Sequence, residues 1–156
     1  MHDVSHPLPI GPQALAERVA AEMYARDRAA QGLGIYLADI RPGYARMTMT
    51  ARNDTLNGHA MRHGGFIFAL ADSAFAYACN GHNQTTVASG CAIEYLAPGR
   101  EGATLSVEAI VQATTGRTGV YDISVTDEDG KRIAMFRGKS GRIMGKVVAG
   151  LSTEAR

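Results

Sequence analysis

The residues His63 to Asn80, HGGFIFALADSAFAYACN, are apolar almost throughout and carry a single acid, Asp72. A helix apolar on every side is buried on every side, so the rest of the chain has to wrap it. A carboxylate in such a helix is costly to bury unless it is paired. Asp72 therefore needs a reason to be there. A catalytic task is one. A structural carboxylate that caps a neighbouring backbone or pairs with an arginine is the other.

The wrapping is legible on both sides of this segment. Pro12 suits a helix start, where its missing N–H costs nothing. Leu15, Val19, Met23 and Tyr24 recur at helical spacing, and Gly32 suits the stop. Leu33 to Ile40 reads as a strand closed by the turn Arg41-Pro42-Gly43. Tyr44 to Ala51 alternates, with Ala45, Met47 and Met49 on one face. A polar loop, Asn53 to Arg62, leads into the central helix. Four more strands follow: Thr86 to Leu96, Thr104 to Ala113, Gly119 to Thr126 and Lys131 to Met144. Pro98-Gly99, Thr115-Gly116 and Asp129-Gly130 mark the turns between them. Short turns imply an antiparallel sheet. A long apolar helix filling one face of that sheet gives an α+β layer fold, the hotdog architecture, preceded by an N-terminal helix. The domain is expected over 13–147, with flexible tails at 1–12 and 148–156.

Composition narrows the function. At 156 residues the chain is one domain with a real core. The net charge of +1 is scattered, so neither nucleic acid nor a highly charged partner is expected. No apolar run is long enough to span a bilayer, and Met1 to Pro12 lacks the pattern of a signal peptide. The chain reads as a soluble cytoplasmic protein with no membrane partner. Cys79 and Cys91 form no C-x-x-C and are expected to be reduced and buried.

Gly64 and Gly65 open the central helix. The first N–H groups of a helix have no internal partner and sit at its positive end. They can hold an oxygen that becomes negative, or the two glycines simply allow a tight turn. Asp72 lies eight residues after Gly64, roughly 11–12 Å along the helix. A nucleophile has to come within roughly 3–3.5 Å of the carbon it attacks. One helix cannot bring both groups to one carbonyl, whereas two antiparallel copies can. If both are catalytic, the protein is at least a homodimer with shared active sites.

Around this pair stand residues with two readings each. His63, at the helix entry, suits an acid–base group, a positioning group or a cap. Asn57 can hold a water or a carbonyl oxygen, or form a turn before Gly58. His59 reads as exposed loop, and with no third ligand nearby a zinc site is not expected. No G-x-S-x-G elbow supports a covalent serine. Arg117, Arg137, Lys139 and Arg142 suit phosphate groups of a nucleotide-like carrier or a solvated strand face.

The stretch Asn57 to Asn80, NGHAMRHGGFIFALADSAFAYACN, resembles the core motif of the PaaI-type hotdog thioesterases. The flanks VASGCAIEYLAPGREGATL, TGVYDISV and FRGKSGRI resemble the same family, so the likeness covers Leu33 to Met144. It implies hydrolysis of an acyl-CoA, phenylacetyl-CoA or a ring-hydroxylated analogue, with no metal or organic cofactor. Asp72 would attack the thioester or activate water, and the Gly64 N–H of the other subunit would polarise the carbonyl. His63 and Asn57 would shape the site, beside Gly65, and Ser73 would orient the carboxylate or the water. CoA would run near Ser89, Gly90, Pro98, Gly99, Arg100 and Lys139. Family members usually pair their dimers into homotetramers. Two other activities fit the same architecture: a hotdog enoyl or hydroxyacyl thioester hydratase using His63, and a non-catalytic acyl-CoA binder.

Overall fold

The computed structural model describes residues 9–151. Most of the two expected tails lies outside that range. Helix α1 spans Pro12–Arg26 and opens on its proline, burying Leu15, Ala16, Val19 and Ala20. Met23 and Tyr24 pack at the margin of the core. The sequence reading of one helix ending at Gly32 needs correction. Asp27 breaks it: a second helix, α2, spans Arg28–Leu33. The Asp27 carboxylate accepts the Ala30 N–H at 2.9 Å, which is N-cap chemistry. The stop is Gly34, at a left-handed φ of 68°, a conformation that glycine adopts without a Cβ clash.

Six strands follow: β1 Ile35–Arg41, β2 Tyr44–Thr50, β3 Thr86–Tyr95, β4 Thr104–Thr115, β5 Thr118–Thr126 and β6 Arg132–Arg142. They form one sheet in the order β1-β2-β4-β5-β6-β3, antiparallel at every pairing. Helix α3, Gly64–Asn80, lies between β2 and β3 in the chain. The Asp-Gly turn forms as expected, with Gly130 at φ 78° and the Asp127 carboxylate accepting the Asp129 and Lys131 N–H groups.

Helix α3 packs chiefly on β2 and β4. Its Leu70, Ala71, Ala74, Phe75 and Ala78 join Met47, Met49, Leu105, Val107, Ile123 and Phe136 in the core. Gly138 on β6 lets Phe75 approach, since a Cβ there would lie 2.8 Å from the ring. Burying a side chain such as Phe75 contributes roughly 1.5–3 kcal/mol. The helix is not covered all round. Gly65 is exposed, and Phe68, Ala69, Asp72, Ser73 and Ala76 are half-buried, at spacings that place them on one face.

Strand β3 bonds only to β6 and stands exposed along most of its length. Cys91, expected to be buried, is therefore exposed, while Cys79 is buried as read. At the other end of the chain, the buried Asn83 holds the main chain of Val148 and Leu151 through three hydrogen bonds. No helix of the described residues is long and apolar enough to cross a membrane.

Candidate active site

The loop before α3 is built on main-chain bonds. The Asn57 Oδ1 accepts the His59 N–H at 2.9 Å and the Met61 N–H at 3.2 Å, so this side chain shapes the turn. The His63 N–H donates to the Thr55 carbonyl and the Arg62 N–H to the Gly99 carbonyl, each at 2.9 Å. His63 is the N-cap of α3: its Nδ1 accepts the Gly65 N–H at 2.9 Å. Of the two glycine N–H groups, the cap uses that of Gly65. The Gly64 N–H makes no hydrogen bond among the described residues.

Beside that free N–H lies a cavity of about 370 Å³. Asn57, Arg62 and Gly64 line it, together with the apolar Met61, Ile67, Leu96, Ala97 and Pro98 and the ring of Tyr95. The Tyr95 hydroxyl donates to the Gly64 carbonyl at 2.9 Å. A Cβ on Gly64 would meet the Tyr95 ring at 3.1 Å, so the glycine is what lets the ring lie against the helix start.

Arg62 did not stand out as a site residue in the sequence, whereas Tyr95 suits an aromatic pocket lining as well as a core or interface position. Arg62 is only 3% exposed. Its Nη1 and Nη2 donate to the carbonyls of Met49 and Ala103, at 3.2 and 3.1 Å. Burial lowers the guanidinium pKa to about 10. No local pattern announces this, because the two carbonyls lie 13 and 41 residues away in the chain. Tyr95 closes β3, paired with Ala134 of β6, and its bond to Gly64 spans 31 residues, beyond any local pattern.

Asp72 does not reach this cavity within one chain. It sits on the half-buried face of α3, and burial raises its pKa above the usual carboxylate value. No ion pair or side-chain hydrogen bond engages it among the described residues. The Ser73 hydroxyl donates to the Ala69 carbonyl at 2.7 Å, back along its own helix.

The expected CoA residues divide. Pro98 lines the cavity, the Gly99 backbone packs on Arg62, and Arg100 pairs with Met61 in an isolated bridge. Ser89, Gly90 and Lys139 form a separate group across β3 and β6, where the Ser89 hydroxyl donates to the Lys139 carbonyl at 3.1 Å. A second depression of about 420 Å³ adjoins Gly90 and Lys139. Arg137 is held by Asp122 through two bonds of 2.6 and 2.8 Å. Among the described residues no cluster of His, Cys, Asp and Glu is placed to hold a metal ion.

A long helix laid on a six-stranded antiparallel sheet, with a free glycine N–H at its amino end, defines a hotdog-fold protein of the thioesterase class. Residues 59–134 match the thioesterase superfamily. The acyl-coenzyme A thioesterase PaaI of Escherichia coli K12 is 47% identical over 128 residues, covering 82% of this chain and 91% of that protein. The structure of the E. coli PaaI protein from the phenylacetic acid degradation operon matches with a TM-score of 0.86 at 45% identity, over 87% of this chain and 99% of that one. A mutant of the phenylacetic acid degradation protein PaaI from Thermus thermophilus matches at 0.70 and 37% identity, over 73% and 97%. The chain belongs to the PaaI family of acyl-CoA thioesterases within the thioesterase superfamily.

Proposed function

We propose that the protein hydrolyses aryl-acyl-CoA thioesters, phenylacetyl-CoA or hydroxyphenylacetyl-CoA, to the free acid and CoA. The observation that carries this reading is the unengaged Gly64 N–H facing a mostly apolar cavity. The thioester carbonyl oxygen sits at that N–H, at the positive end of α3, and the acyl group fills the cavity. Asp72 of the partner subunit attacks the carbonyl carbon, giving a mixed anhydride that water opens, or takes a proton from the attacking water. Either way the carbon–sulfur bond breaks and CoA leaves as the thiol. The reading calls for no metal or organic cofactor.

The shared site follows from the helical rise between Gly64 and Asp72, roughly 12 Å. The half-buried face of α3 and the open strand β3 give a second copy a surface to cover. Pairing of two such dimers gives the homotetramer. His63 holds the turn that presents Gly64, and Asn57 shapes the cavity wall. The CoA portion runs over Pro98 to Arg100 and on toward Ser89, Gly90 and Lys139.

The test is release of free CoA from an acyl-CoA panel, with wild type and Asp72→Asn side by side. Release from the aryl thioesters well above that from acetyl-CoA and long-chain acyl-CoA, and lost in the variant, is the expected result. Binding without release from any thioester would overturn the reading.

A further inference from the structure

We propose that Arg62 is an electrostatic positioning residue that tunes the cavity at the start of α3 for negative charge. The assignment rests on the hydrolysis reading above and gives it a group that the reading does not use.

Three observations converge. First, Arg62 is a buried cation with no anion beside it among the described residues of its own chain. Its two terminal nitrogens meet neutral carbonyls, its Nε is buried with no partner, and no ion pair among the described residues includes it. Secondly, it stands next to His63, the N-cap of α3. Its main chain therefore leads directly into the positive end of the helix. Thirdly, it lines the cavity that the free Gly64 N–H also faces.

For the fold alone this is a poor choice. An apolar side chain of similar length would relieve the desolvation cost, at the loss of the donors to the Met49 and Ala103 carbonyls. The lowered guanidinium pKa, about 10, has the same cause. What the arrangement supplies is a positive potential at a cavity with low-dielectric walls. A neutral thioester gains little from it. The oxyanion of the tetrahedral intermediate and the carboxylate of the product each gain more, and a gain confined to the charged species accelerates the chemical step. Arg62 acts through its field and through the loop it ties to Met49 and Ala103, not by touching the reacting atoms.

The experiment is calorimetric titration of the full chain near neutral pH with phenylacetate and with its neutral isostere, phenylacetamide. Wild type should bind the anion more tightly, on the order of tenfold. That preference should collapse in Arg62→Met and Arg62→Gln and persist in Arg62→Lys, and kcat should fall with it while KM holds. A purely structural Arg62 would lower the melting temperature of the variants and leave the ratio untouched, which would overturn the assignment. If both neutral variants fail to fold, Arg62→His decides: its anion preference should be present below about pH 6 and lost above it, and a ratio that stays flat across that range overturns the assignment. Because the ratio is read from binding, absence of CoA release in wild type would sink the hydrolysis reading separately.

Discussion

The Tyr95 hydroxyl, at the end of the outer strand, donates to the carbonyl of Gly64, at the start of the central helix, across 2.9 Å. This bond ties the β3–β4 connection to the first turn of α3 and fixes how Gly64 faces the cavity. Tyr95→Phe keeps the ring and loses the bond, which is worth about 0.5–1.5 kcal/mol. Turnover is expected to fall by up to about tenfold with a small drop in melting temperature. Unchanged kcat in this variant would mean that the helix start holds its geometry without the tie.

Asp72→Asn should lower turnover by roughly 10²–10⁴-fold, the usual loss of a general base, while the oligomer persists in gel filtration. The shared site makes a sharper claim. Co-expressed Asp72→Asn and Gly64→Val chains, each inactive alone, should recover activity in mixed oligomers. One chain still supplies Gly64 and the other Asp72. No recovery would overturn the shared site.

The pH dependence follows from the raised pKa of Asp72, which burial causes. Its carboxyl takes up a proton at a higher pH in the folded chain than in the unfolded one. As pH falls through the folded value toward the ordinary carboxylate value of 3.8, the folded state binds more protons, so this group's stability penalty is relieved. Catalysis needs the ionised form and runs the other way. Activity should fall with acidification along a single ionisation above the usual carboxylate range, and Asp72→Asn should melt above wild type at neutral pH by a margin that shrinks on acidification. Thermal melts across pH, set beside pH–rate profiles, check both directions.

Gly138→Ala probes the core apart from the site. The added Cβ would lie 2.8 Å from the Phe75 ring, and overpacking of that kind costs typically about 1–3 kcal/mol. A lower denaturation midpoint with an unchanged KM is expected. A neutral result would show that Phe75 has room to move.

The alternation Ala45, Met47, Met49 and the apolar run after His63 carried most of the fold, because period alone distinguishes a half-buried strand from a buried helix. The break at Asp27 escaped that logic: apolar spacing ran on toward Gly32, while the cap depended on one carboxylate meeting Ala30. Cys91 shows another limit. Its strand reads as apolar, but exposure depends on β3 standing at the edge beside β6, a matter of strand order that no local pattern contains. Among the candidate site residues, the helix-start position of Gly64 and the place of Asp72 further along the same helix were legible from chemistry and helical rise. Arg62 was not, since charge argues for the surface and only distant carbonyls draw it inside.

The donor at the head of α3 is a main-chain N–H, and that has an evolutionary consequence. No side chain supplies it, so apart from proline, which lacks the N–H, a mutation can only obstruct or tilt it. Met61, Ile67, Leu96 and Ala97 line the same cavity as ordinary side chains. Drift at these positions re-sculpts what the cavity admits while the Gly64 N–H is inherited intact. New acyl preferences can thus arise in this scaffold without passing through an inert ancestor.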